Sequence, residues 1–233
     1  MKLPVAILAG GLATRLGPLV EKIPKSLLEV AGKPFAAHQL ELLARHGIDH
    51  VVFCVGHHGE QIVQALGDGR RWSMRVEYIY DGPILLGTAG ALKRAVPLLG
   101  DAFLILHGDA YLKCDYADVA NRFLESGKLG LMTVFHNANR WDHSNIVYSN
   151  GRILQYDKFN RTPAMTYIDY GLGALHSRVF DAYKDGESLD LFTVYQNLIV
   201  TDELLAFEVP NRFYEIGSVE GLRETRRYLS QNI

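Results

Sequence analysis

The run Val5-Ala6-Ile7-Leu8, followed by Ala9-Gly10-Gly11, constrains this chain more than any other stretch. Four unbroken apolar residues make a strand buried on both faces, and such strands belong to sheets with helices on both sides. The run ends in a loop nearly free of side chains. Backbone N–H groups there can approach a phosphate closely, and Thr14, Arg15 and Lys25 bring a hydroxyl, a guanidinium and an ammonium to the same region. The loop reads as a polyphosphate site. Two familiar phosphate loops are excluded. One places Lys and Ser or Thr directly after its last glycine, and the other spaces its glycines G-x-G-x-x-G, whereas here adjacent glycines run into Leu12-Ala13-Thr14.

Further along, strand and helix patterns alternate. Leu27 to Val30 reads as a short strand, Gly32-Lys33 as a turn, and Pro34 as the first position of a helix to about His46. His50 to Val55 is a second buried strand, followed by a helix from Glu60 to Leu66, a strand from Met74 to Tyr80 and a helix opening at Gly87-Thr88-Ala89-Gly90. Ala102 to Leu106 is another apolar strand, ending in His107-Gly108-Asp109. Repeated βα units call for a Rossmann-like, mostly parallel sheet with ligands at the carboxyl ends of its strands. The second half changes character. Leu129 to Phe135, Asn145 to Tyr148, Arg152 to Tyr156 and Tyr167 to Leu175 read as added antiparallel strands, with Ser149-Asn150-Gly151 as a hairpin signal. Helices near Ser177 to Tyr183 and Leu191 to Leu198, a strand from Leu204 to Val209 and a C-terminal helix through Tyr228 complete the reading.

With 233 residues, 48% of them apolar, the chain suits one α/β domain spanning 1–233. The formal charge of −2 and the lack of a basic run point away from nucleic acid. No apolar run approaches the roughly 20 residues of a membrane span, and no basic segment introduces a secretory one. Cys54 and Cys114 lie in or beside strands, so a reducing cytoplasm is expected. His57-His58 and the pair His46 and His50 lack a nearby acidic or thiol ligand, and His107, at a strand end, reads as a packed residue.

Leu8 to Leu16, with Pro24-Lys25 and Gly32-Lys33-Pro34, resembles the L-A-G-G-x-G-T-R-L, P-K and G-K-P signature of the sugar-1-phosphate nucleotidylyltransferases. Ala13 stands where that signature has glycine. The resemblance implies the nucleotide-diphospho-sugar transferase fold, with a nucleoside triphosphate and a sugar 1-phosphate as substrates. Leu8, Ala9, Gly10, Gly11, Leu12, Ala13 and Thr14 would hold the nucleotide, and Arg15 and Lys25 would act in catalysis. Gly87 and Thr88 match the L-G-T-A-G-A-L stretch that supports base and ribose in relatives. A helix start on small residues also suggests free N–H groups and close approach of a flat ligand. Asp109 matches the aspartate that holds Mg²⁺, and Glu215 stands where relatives have a second, shorter carboxylate. Asp157-Lys158 aligns with the family's E-K pair at the sugar phosphate, though alone it reads equally as a solvated surface pair. Asp169 and Gly171 resemble the segment lining the sugar site. No hexapeptide repeat is present, so the catalytic domain alone is expected, and a homodimer stays open.

Asp81 follows a strand and precedes Gly87 by six residues. A carboxylate only accepts, and guanine offers two adjacent donors, N1–H and the N2 amino group, where uracil offers one donor between two carbonyls. GTP is thus favoured, with a resemblance to the D-glycero-D-manno-heptose 1-phosphate guanylyltransferases, while UTP-dependent uridylyltransferases of amino-sugar phosphates are the alternative. Asp81 also reads as the opening of the turn at Gly82-Pro83. Ala13, Asp157 and Glu215 leave open a non-catalytic nucleotide-sugar-binding protein.

Overall fold

Residues 2–11, 14–82 and 84–232 are described by a computed structural model, with the side chains of Thr14, Arg15 and Leu19 outside the described part. In chain order the strands are β1 (Val5–Leu8), β2 (Glu29–Val30), β3 (Lys33–Pro34), β4 (His50–Val55), β5 (Arg75–Tyr80), β6 (Ala102–His107), β7 (Ala110–Leu112), β8 (Gly130–His136), β9 (Ile146–Ser149), β10 (Arg152–Tyr156), β11 (Tyr167–His176), β12 (Leu204–Glu208) and β13 (Phe213–Glu215). The helices are α1 (Phe35–Arg45), α2 (Gly59–Leu66), α3 (Gly87–Leu99), α4 (Tyr116–Ser126), α5 (Leu191–Val200) and α6 (Val219–Gln231).

The order β5-β4-β1-β6 is parallel throughout, as βα alternation requires. β11 then runs antiparallel to β6 and carries β8 and β9, with β10 beyond β9 and β12 parallel to β8. A small separate ribbon pairs β13 with β7. Alternate residues of β1 go to opposite faces: Val5 and Ile7 join one core with α1, α4 and α6, and Ala6 joins another with α3 and α5. That two-sided burial is why its sequence shows a run rather than an alternation.

Four local readings need correction. Lys25–Leu27 is a 3₁₀ turn, so the strand before Gly32 is reduced to Glu29–Val30, and Pro34 caps α1 from β3 rather than opening it. α4 was not expected. Its buried Tyr116, Val119, Ala120 and Phe123 fall at helical spacing, and Asp115 caps it by accepting from the Ala117 and Asp118 amides. β7 was also missed, being three residues long and paired only with β13.

Candidate functional site

The carboxyl ends of β1, β4, β5 and β6 open on a cavity of about 270 Å³. Leu8, Ala9, Gly10 and Gly11 line it, together with Lys25 and Asp109 and with Asp81, Gly87 and Thr88. The structure therefore gathers the described residues among those selected from the first half into one place. Leu12 and Ala13 lie outside the described residues, as do the side chains of Thr14 and Arg15.

Lys25 Nζ donates to Asp109 Oδ2 at 2.5 Å, with the two side chains 21% and 23% exposed. Burial pushes the Asp109 carboxyl up, but the Lys25 ammonium and His107 outweigh it and hold the group below the usual carboxylate range. Asp109 is thus an anion at neutral pH. Its loop is pinned from three sides. The Gly108 amide donates to the Leu8 carbonyl at 3.0 Å, the Ile216 amide donates to the Asp109 carbonyl at 2.9 Å, and Gln39 on α1 holds the loop from beneath. The Gln39 Nε2 amide donates to the His107 carbonyl at 3.0 Å and to the Ala110 carbonyl at 2.8 Å, bracketing Gly108-Asp109. The glycine loop is fixed too, through the Ala9 amide on the Cys54 carbonyl at 2.9 Å.

Just past β5, Asp81 is 7% exposed, and burial pushes its carboxyl up against the pull of the Leu86 amide and Arg94. A Cβ on Gly10 would stand 3.6 Å from Asp81 Oδ2, which places this carboxyl beside the glycine loop. The start of α3 differs from expectation. Its N–H groups are not all free: Ala89 and Gly90 donate to the Leu189 carbonyl at 2.9 and 3.1 Å, and Thr88 Oγ1 accepts from the Leu191 amide at 2.7 Å. The small residues there serve the close passage of the segment before α5, while Gly87 and Thr88 still line the cavity.

The candidates from the second half divide. Gly171 passes against the first group, since a Cβ on it would lie 3.5 Å from Ala110 Cβ and 3.8 Å from the His107 ring. Asp169 accepts from the Gly171 amide at 3.0 Å and from the Tyr156 hydroxyl at 3.1 Å. Both therefore flank the Asp109 loop on the side away from Gly10. Asp157 is spent on its own turn, accepting from the Phe159 and Asn160 amides, and Lys158 lies over the Tyr156 and Phe192 rings at 5.6 and 5.8 Å. Neither belongs to the cavity wall. Glu215 pairs in register with Ala110, so its backbone adjoins the Asp109 loop, while its carboxylate accepts from the Gly217 and Ser218 amides and the Ser218 hydroxyl at the start of α6.

For a divalent cation the donor set is one-sided. Asp109 is an ionised oxygen ligand at the cavity, and Mg²⁺ takes one or two carboxylates with substrate phosphates completing its shell, so Asp109 fits that role. Glu215 adjoins the Asp109 loop through its backbone, and its carboxylate accepts from the two amides just before α6. Among the described residues no three His, Cys, Asp or Glu side chains form a metal-binding group.

Sequence reasoning missed Gln39 and Ser26. Gln39, 1% exposed, was hidden because one polar residue within an amphipathic helix carries no pattern, though a buried glutamine always needs partners. Ser26 follows Lys25 on the same turn and lines the cavity.

The family model described as "Nucleotidyl transferase" matches residues 5–229. The chain is 30% identical over 204 residues to a UTP–glucose-1-phosphate uridylyltransferase of Synechocystis sp., covering 79% of this chain and 52% of that one. It is 25% identical over 217 residues to mannose-1-phosphate guanyltransferase beta-B of Xenopus laevis, covering 91% and 60%. The chain thus spans about half to three-fifths of the length of these curated relatives. HddC from Yersinia pseudotuberculosis, solved with GMP-PN, shares the fold with a TM-score of 0.79 at 22% identity, covering 97% of this chain and 99% of that one. No helix among the described residues is long and apolar enough to cross a membrane.

Proposed function

The chain belongs to the nucleotidyl transferase family, and from that premise we propose that it transfers a nucleotidyl group from a nucleoside triphosphate to a sugar 1-phosphate. The observation that carries the reading is the Lys25–Asp109 pair lining one cavity with the Gly10-Gly11 loop. A sugar-phosphate oxygen bonds to the α-phosphorus, the bond from that phosphorus to the bridging oxygen breaks, and pyrophosphate leaves with the electron pair. No covalent enzyme intermediate is needed, so the protein's work is positioning and charge neutralisation. The backbone of the glycine loop receives the departing phosphates, with Arg15 assigned to them by the family signature. Lys25 meets the charge that builds at the α-phosphate. Asp109 would hold Mg²⁺, which when bound neutralises phosphate charge as a Lewis acid. Asp169 and Gly171, beside the Asp109 loop, suit the incoming sugar. Lys158 can steer the sugar phosphate only by leaving the Tyr156 and Phe192 rings.

We favour GTP, because Asp81 is an acceptor at the wall beside Gly10 and guanine presents two donors to a carboxylate. The second reading, UTP with an amino-sugar phosphate, draws support for its triphosphate, not its sugar, from the relative named for UTP and glucose 1-phosphate. Pyrophosphate release from a panel of sugar 1-phosphates with each of four triphosphates tests both. No release with any pair would favour a nucleotide-sugar-binding protein without turnover.

A further inference from the structure

We infer that Ser26 is a substrate-binding residue whose hydroxyl donates to a phosphate oxygen in the cavity, an inference that rests on the phosphorylated substrates proposed above. Ser26 is 3% exposed and lines the cavity, and its Oγ is buried without a hydrogen-bond partner among the described residues. Folded proteins pair the great majority of buried hydroxyls, because an unpaired one forfeits its hydration for nothing. The turn holding it is fixed. Leu27 N donates to the Pro24 carbonyl at 2.9 Å and Leu28 N to the Lys25 carbonyl at 3.0 Å, so the backbone that carries Ser26 next to Lys25 at the cavity is fixed.

What the hydroxyl lacks is an acceptor. Gln39 Oε1 on α1 is likewise buried without a partner among the described residues, so it is not bonded to Ser26. Asp109 Oδ2 is taken by Lys25. An ammonium and a hydroxyl on adjacent residues, lining a cavity that glycine backbone also lines, form a donor set suited to an anionic oxygen. Both substrates carry such oxygens, on the triphosphate and on the sugar phosphate.

The test is Ser26→Ala in the full chain. Removing an unpaired buried hydroxyl leaves Tm unchanged or raises it, while losing a donor to a charged acceptor raises one KM about tenfold. A raised KM for the triphosphate assigns the contact to the nucleotide, and a raised KM for the sugar phosphate assigns it to the acceptor substrate. The rise in Tm on adding triphosphate gives a readout without turnover. If the wild-type protein turns over no pair, the proposed activity fails, and a smaller triphosphate-induced Tm rise in S26A still supports the Ser26 contact. Unchanged KM values and an unchanged ligand-induced rise overturn it. So does a fall in the Tm of free S26A, which would mean that the hydroxyl is bonded within the fold through a buried water. Should S26A not fold, Ser26→Cys, close in size and a weaker donor, must show the same direction of change, and failure of both to fold overturns the inference.

Discussion

Lys25 and Asp109 are 84 positions apart and meet at 2.5 Å, and each sets the state of the other. The ammonium keeps the carboxyl ionised despite its burial, and the carboxylate holds the ammonium at the cavity wall. Lys25→Ala should therefore cost turnover far more than nucleotide affinity, since the charge that Lys25 meets grows only in the transition state. A loss of about 3 kcal/mol in barrier, or roughly a hundredfold in kcat, is expected by analogy with oxyanion donors. Steady-state kinetics beside direct nucleotide titration checks it, and equal losses in kcat and binding would contradict the role. Asp81→Asn tests base selection. An amide can turn a donor toward a carbonyl, so a four-nucleotide competition should show the preference for GTP weakening. Unchanged preference would leave Asp81 as the residue that receives Leu86 and closes the turn. Asp81 and Asp109 were legible in the sequence, because a charged group just beyond a buried strand has no apolar reason to be there, and Lys25 was legible through the Pro24-Lys25 signature. Ser26 and Gln39 were not legible, since a neutral polar side chain shows its purpose only through its partners.

At the scale of elements, the site depends on supports that sequence periodicity hides. α1 was readable as an amphipathic helix from its apolar spacing, but Gln39 on it spends both amide hydrogens on the loop that carries Asp109. Gln39→Leu should lower kcat about tenfold or more with little change in triphosphate KM, because about 1 Å of freedom at a charge-bearing group is enough to spoil alignment. A control such as Leu43→Ala, at a wholly buried position of the same helix, should lower Tm without that kcat loss. Matching losses in the two variants would mean that Gln39 serves only the core. The α3 start shows the opposite failure. Small residues looked like an opening for a ligand, yet the Leu189 carbonyl takes two of the amides, since small residues permit close approach by protein and ligand alike. α4 went unread for a different reason. Its pattern is present, with Tyr116, Val119, Ala120 and Phe123 buried, but it is short and lies between strand-like segments.

For the whole molecule, the parallel half and the antiparallel half meet at the Asp109 loop, with Leu8, Gln39, Ile216 and Gly171 all bearing on it. The order of strands was beyond the sequence, because pairing between β11 and β6 or β8 and β12 depends on which edges remain free after collapse. Global stability also carries a pH signature. His38 on α1 is 2% exposed, and its Nε2 is bonded to the Val30 carbonyl at 2.7 Å. Burial lowers its pKa below the ordinary 6.5, outweighing the opposite pull of the Val30 carbonyl, with Lys33 adding to the depression. The sign follows from proton counting. Between the folded pKa and the unfolded value near 6.5, the unfolded chain binds more protons, so stability rises with pH in that window and is flat above it with respect to this group. His46, lowered chiefly by burial, acts in the same sense, and Asp109, depressed by Lys25, adds its own loss only at acid pH below the usual carboxylate range. Asp81, raised by burial, opposes them in the carboxylate range. Comparing His38→Gln with the wild-type chain isolates the first contribution, because the other groups are common to both, and glutamine retains a donor for the Val30 carbonyl. Urea unfolding midpoints of the wild-type chain should fall from pH 7.5 to pH 5.5, and those of H38Q should fall less. Parallel curves for the two proteins would remove His38 as a source of acid lability.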